Sequence, residues 1–81
     1  MKSLPSLRHA LALARHGNYA RAARELNLSQ PSLTRRIALL EQELGVRLFD
    51  RTRAGVVPTA YGRVLIERAE SQLKKPRAIL Q

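Results

Sequence analysis

The sequence contains no cysteine, so within it neither a disulfide framework nor a thiolate metal site can form, a composition that suits a reducing cytoplasm. Aromatic residues are only 4% of the chain, which leaves Leu, Ile, Val and Ala to fill any core. No apolar run approaches the roughly 20 residues of a membrane span. The N-terminal "LRHALALARHG" is interrupted by Arg8, His9 and Arg15 and does not read as a signal peptide. The four glycines are scattered, so no phosphate loop is present. Acidic residues are scarce too, 6 against 15 basic, and Glu41 and Glu43 do not make a spaced carboxylate pair. With no nucleophile and base in evident register, an enzyme is not the reading, and no cofactor is implied. His9 and His16 lie seven apart on one helix, without cysteine or acidic partners to complete a ligand set.

What is present is cationic charge on a short, ordinarily hydrophobic chain. The net charge is +9 over 81 residues, and hydrophobic residues are 44%, too many for a disordered tail. One small domain of short-range helices fits that length. A polyanion, nucleic acid first, is the partner such a charge suggests, against the simpler view of a solvated basic surface.

Periodicity predicts four helices and a hairpin. Leu4, Leu7, Leu11 and Ala14 mark the first helix, with Ser3 as cap, Pro5 in its first turn and Gly17 as its stop. Asn18 caps a second helix, whose Ala22, Ala23 and Leu26 face inward; two adjacent alanines allow a close crossing. Leu28 points inward from the turn that follows. Ser29 caps a third helix with Pro31 in its first turn, an apolar stripe of Leu33, Ile37, Leu40 and Leu44, and Gly45 at its end. Leu39 lies off that stripe. "VRLFDRTRAGVVPT" reads as a small hairpin with its tip near Arg53–Gly55. Thr59 caps a fourth helix, whose shared face carries Tyr61, Leu65, Ile66, Ala69 and Leu73; Pro76 ends or kinks it.

The entrance of the third helix, "SQPSLTRR", crowds polar groups on a helix held from behind. Pro31, Ser32 and Arg35 point away from the stripe, and Gln30 and Thr34 flank it. Such a helix fits a major groove, where Gln pairs with adenine, Arg with guanine and Ser or Thr with either, and Pro31 can meet a thymine methyl. The same residues also suit a plain capped helix with solvated arginines. Arg35, Arg36, Arg51 and Arg53 flanking one surface favour DNA. Leu39 and an apolar fourth helix favour a protein-interaction module on the same scaffold. Charge spread over several elements argues against a membrane-surface helix. Glu41 either anchors an arginine or fixes the pose of its helix.

The stretch from Asn18 to Gly62 resembles the N-terminal winged helix-turn-helix domain of LysR-type transcriptional regulators. The matching elements are A-A-x-x-L at Ala22–Leu26, S-Q-P-S-L-T-R at Ser29–Arg35, I-x-x-L-E-x-x-L-G at Ile37–Gly45, L-F-x-R at Leu48–Arg51 and P-T-x-x-G at Pro58–Gly62. The resemblance implies a mainly α fold, with a three-helix core, a β-hairpin wing and a C-terminal linker helix. It implies a DNA-binding domain at residues 1–59 and a linker or dimerisation helix at 60–81. It places Gln30, Pro31, Ser32, Thr34 and Arg35 in the major groove, Arg51 and Arg53 of the wing at the backbone or minor groove, and Arg36 on a phosphate. It places Tyr61, Leu65, Ala69 and Leu73 at a homodimer seam. The implied partner is an interrupted palindrome of double-stranded DNA with a T…A dyad. A small-molecule effector would act only through a C-terminal domain that these residues do not include. Asn18, Tyr19 and Ala20 stand where the family more often has Ser, Phe and Thr, and Ala20 lacks a hydroxyl that could touch phosphate.

Overall fold

The computed structural model describes residues 4–74, with side chains described for 7–71. Pro5 stands in the first turn of the first helix, as expected; the expectations for Ser3 and Pro76 lie outside the described residues, and that for the Leu73 side chain outside the described side chains. Helix α1 spans Leu4–His16, α2 Tyr19–Leu26, α3 Gln30–Leu44 and α4 Ala60–Lys74; strands β1 (Phe49–Thr52) and β2 (Gly55–Pro58) stand between α3 and α4.

Each boundary has a local cause. The Asn18 side chain accepts a hydrogen bond from the Arg21 N–H at 2.9 Å and starts α2. Asn27 ends it in the left-handed region at φ 58°, and the Leu28 N–H reaches back to the Ala23 carbonyl at 2.9 Å. That turn aims Leu28 at the core and redirects the chain within three residues. Ser29 accepts from the Ser32 N–H at 3.2 Å and starts α3, with Pro31 in the first turn where its missing N–H costs nothing. Gly45, at φ 74°, closes α3.

The core is aliphatic. Leu13, Ala22, Leu33, Ile37, Leu40 and Leu48 are essentially inaccessible, and Phe49 and Val56 bring the hairpin onto them. Helix α1 is buried further round than its expected stripe. Ala10, Leu11, Ala12 and Leu13 are all buried, and at roughly 100° per residue four successive positions sweep most of a turn. The cause is that α1 is the central element, in contact with α2, α3, β2 and α4. A stripe of one face therefore describes only part of it.

Leu44 departs from expectation. It continues the spacing of Leu33, Ile37 and Leu40 but is 47% exposed. It is the last residue of α3, past the turns that the other helices cover, and Gly45 then turns the chain away. Leu39 is exposed, as its position off the stripe requires.

Candidate nucleic-acid interface

The hairpin is the two-stranded antiparallel sheet β1–β2, with Phe49 opposite Pro58 and Thr52 opposite Gly55. Arg53 and Ala54 form its tip. The Thr52 hydroxyl donates to the Gly55 carbonyl at 3.0 Å and accepts from the Ala54 N–H at 3.1 Å, which stiffens the turn. An isolated two-stranded hairpin is marginal in water, so its attachments decide whether it can hold a side chain in place. Three are visible.

Glu41 supplies the first. Its Oε2 accepts the Leu48 N–H at 2.7 Å and the Phe49 N–H at 3.2 Å, so one carboxylate on α3 holds the entry of β1. Of the two roles open to Glu41, it is the pose of the helix against the wing that the geometry supports. The second attachment is backbone to backbone. The Val56 N–H donates to the Gly17 carbonyl at 3.0 Å, which ties β2 to the α1–α2 turn. Gly55 adopts φ 132°, and a Cβ there would stand 2.6 Å from that same carbonyl oxygen. The third lies at the start of α4. The Thr59 hydroxyl donates to the Arg47 carbonyl at 2.7 Å and accepts the Gly62 N–H at 3.0 Å, while the Thr59 N–H reaches the Leu48 carbonyl at 2.9 Å. The Pro58–Gly62 motif is thus a junction between α4 and the segment entering the wing.

Between α3 and the anchored wing runs a groove lined by Tyr19, Thr34, Ala38, Arg47, Asp50 and Arg51, among others. It continues around Tyr19 to the start of α2, where Asn18, Ala20, Gln30 and Thr52 line it. A third depression adjoins these and is lined by Gln30, Pro31, Thr34, Arg35 and Ala38. Gln30, Pro31, Thr34, Arg35 and Arg51 therefore share one concave surface. Ala20, exposed on it, presents a methyl where a hydroxyl would offer a donor.

The remaining expected contacts fall elsewhere. Ser32 is half-buried at the cap of α3 and lines none of these depressions. Arg36 is exposed on the α1 side of α3: its charge and that of Arg8 act on His9, whose pKa is lowered first by burial and then by these two cations. Arg53 stands exposed at the wing tip, outside the groove.

The electrostatics suit an anion. Neither α2 nor α3 has an acidic residue in its first turn, so the partial positive charge of each N-terminus is not offset there. Two acids near this side are already engaged: Glu41 by the wing's N–H groups, and Asp50 by Arg47 at 3.2 Å. Behind the interface, the Glu25 carboxylate pairs with His16 at 2.6 Å and with Arg15, fastening α2 to the end of α1. The hydrogen bond from His16 is the main reason its carboxyl is held below the usual range, with Arg15 assisting.

Sequence reasoning did not single out Tyr19 or Arg47 as parts of this surface. Tyr19 is half-buried beneath Arg51, and burial pushes its phenol above the usual value, so it remains a neutral hydroxyl at physiological pH. Its position at the start of a helix beside a cap offered no hint of a strand 30 residues later.

On α4 the outward apolar residues are Tyr61, 64% exposed, and Val64, 52% exposed. The expected seam residues divide. Tyr61 faces out, Leu65 packs partly against the core, and Ala69 is only 8% exposed. Ala69 offers a partner almost no surface, because α4 turns that face toward its own chain, where it contacts α1.

Two helices joined by a sharp turn, the second presenting its N-terminal turns beside an antiparallel wing and followed by a long helix, make a winged helix-turn-helix. Residues 4–63 match the family of bacterial regulatory helix-turn-helix proteins of lysR type, and the chain belongs to that family. It is 51% identical over 79 residues to the SDS degradation transcriptional activation protein of a Pseudomonas strain, covering 98% of this chain and 26% of that protein. It is 51% identical over 67 residues to the transcriptional regulator ClcR of Pseudomonas putida, covering 83% of this chain and 23% of the relative. The chain thus spans about a quarter of the length of these relatives. Among solved structures it resembles the CbnR DBD–DNA complex, with TM-score 0.79, 40% identity and coverage of 86% of this chain and 80% of that one. It also resembles the BenM DBD bound to catB site 1 DNA, with TM-score 0.86, 31% identity and coverage of 99% and 85%.

Proposed function

We propose that this chain is the part of a LysR-type bacterial transcriptional regulator that binds double-stranded DNA with sequence preference. The observation that carries the reading is the shared concave surface: Gln30, Pro31, Thr34 and Arg35 on α3 stand beside Arg51 on a wing tied down at three points. Base choice needs donors and acceptors held at fixed positions, and this backbone is fixed. Gln30, Pro31, Thr34 and Arg35 are the base-reading group, with Ser32 at its margin. Arg51, Arg53 and Arg36 make phosphate or minor-groove contacts on either side. The mechanism is recognition rather than catalysis, and the place of action is the bacterial cytoplasm. The relatives named above as transcriptional regulators, and the two resembling domains solved with DNA, support the assignment.

The same reading extends to a homodimer on an interrupted palindrome, with α4 as the pairing helix. Exposed Tyr61 and Val64 support it, while Ala69 offers it little surface. A protein-interaction module remains the alternative, favoured by exposed Leu39 and Leu44.

Selection from a randomised pool of duplex DNA at two salt concentrations tests both parts. An enriched interrupted palindrome is the expected result. Salt-sensitive binding without enrichment would leave a non-specific DNA binder. No binding at either salt would overturn the DNA reading in favour of the protein partner. Within a selected site, Arg35→Ala should cost about 1–3 kcal/mol and relax preference at one position. A uniform loss across all sequences would move Arg35 to the phosphate class.

A further inference from the structure

Arg51 is held by an aromatic ring. Its guanidinium carbon lies 4.8 Å from the centre of the Tyr19 ring. Among the described residues it takes part in no ion pair, and the acid next to it in sequence, Asp50, is paired with Arg47 at 3.2 Å. The two partners come from elements that are themselves tied together. Tyr19 opens α2 just after Gly17, and Arg51 pairs across the hairpin with Val56, whose N–H donates to the Gly17 carbonyl at 3.0 Å.

The chemistry of that anchorage matters. A carboxylate would orient Arg51 by occupying its N–H groups and cancelling its charge. An aromatic face attracts the cation through the ring quadrupole and leaves the in-plane donors free. Tyr19 and Arg51 both line the groove beside α3 and the depression at the start of α2, so those donors sit where the DNA backbone would pass. We propose that Tyr19 is the positioning residue of the wing: its ring holds Arg51 in place, un-neutralised, for a phosphate of the bound duplex. This rests on the DNA-binding reading above and adds to it a residue that makes no base contact of its own.

The test separates the ring's electronic role from its bulk. Tyr19 is replaced by Phe and by Phe carrying one, two and three ring fluorines, which keep the shape and progressively weaken the quadrupole. Tyr19→Leu and Arg51→Ala complete a double-mutant cycle, and thermal melts confirm that each variant is folded at the binding temperature. In the free protein, the Arg51 side-chain protons should show an upfield ring-current shift that persists in Tyr19→Phe. Affinity for a selected duplex should fall stepwise along the fluorine series, by about 2- to 5-fold in all. The series should be flat in the Arg51→Ala background. Equal affinity along the series, or the same loss with and without Arg51, would overturn the proposal and leave Tyr19 as packing. So would a missing ring-current shift. Absence of duplex binding by the unsubstituted chain would instead bring down the DNA reading, and the phosphate role with it. Because the fluorine series does not rely on Tyr19→Leu, a failure of that variant to fold would leave the result intact.

Discussion

The two exposed faces of the molecule are built on opposite plans. The face formed by α3 and the wing is polar and cationic, and the backbone beneath it is held by Glu41, by the Gly17 carbonyl and by Thr59. The outward face of α4 carries Tyr61 and Val64, and among the described residues no side-chain hydrogen bond lies on that helix beyond Gly62. On the function proposed above, the difference follows from what each face would have to do. Hydrogen bonds and charge pairs are directional, so a surface that reads with them must be held within a fraction of an ångström. Apolar contact is non-directional and grows with area, so a pairing helix needs only to be presented.

Gly62 joins the two faces, and breaking it should have the largest effect. A Cβ at this buried position would stand 2.1 Å from the Leu48 carbonyl oxygen, a backbone atom that cannot swing aside. Gly62→Val should cost about 3 kcal/mol, a large fraction of what so small a domain has. Chemical denaturation would show it as a lower midpoint. If the midpoint hardly moves, the α4 junction is looser than its hydrogen bonds imply.

Removing Glu41 tests the rigid face alone. Glu41→Ala strips an acceptor from two part-buried N–H groups and should cost roughly 2 kcal/mol. Amide exchange should quicken at Leu48 and Phe49 while α1 and α2 stay protected. Glu41→Gln, which keeps one acceptor oxygen, should recover part of the loss. Uniform loosening of every helix would mean that the carboxylate supports the whole core and not the wing.

These two residues also mark how far the sequence could be read. Caps and stops are local chemistry, so Asn18, Ser29, Gly45 and Thr59 could be placed from residue type and spacing, and the four helices with them. Glu41 could be flagged, but its partners could not: Leu48 and Phe49 offer main-chain N–H groups, which no side chain announces. The Tyr19–Arg51 contact was hidden for a similar reason, since it joins a helix start to a strand through tertiary packing. Leu44 and Ala69 show two limits of the helical period. Leu44 keeps the helical period after the cover has ended, whereas Ala69 keeps it on the side that α4 turns toward its own chain. Period tells which residues share a face; it does not tell how far a neighbour extends along that face or which neighbour it is.

The outward face of α4 should yield a smaller effect on stability and a clear one on assembly. Tyr61→Ser with Val64→Ser should leave the melting temperature of the single chain nearly unchanged, because both side chains are mostly exposed. The same pair should weaken self-association by about 1–2 kcal/mol, seen by sedimentation over a concentration series. Ala69→Ser should instead lower stability with little effect on association. The reverse pattern would return Ala69 to the seam and remove Tyr61 from it.

The smallest expected effect is a pH dependence on the α1 side of α3. His9 has a buried Nδ1 with no partner among the described residues, and burial, then Arg36 and Arg8, lower its pKa below the ordinary 6.5. Below that value the unfolded chain takes up the proton more readily than the folded one. The stability tied to a neutral His9 is therefore fully present above pH 6.5 and is lost as pH falls through the lower, folded value. The carboxyl of Glu25, held below its ordinary 4.5, has the same sign but acts in a more acidic window. A melting temperature that declines between pH 7 and pH 5 should thus flatten in His9→Leu, while the steeper acid limb below remains. If His9→Leu keeps the decline, the titrating group lies elsewhere and the flank of α3 beside Arg36 is indifferent to protons. If the decline flattens, His9 is the titrating group, opposed in its charging first by burial and then by Arg36 and Arg8, and a phosphate bound beside Arg36 should offset the smaller, cationic part of that depression.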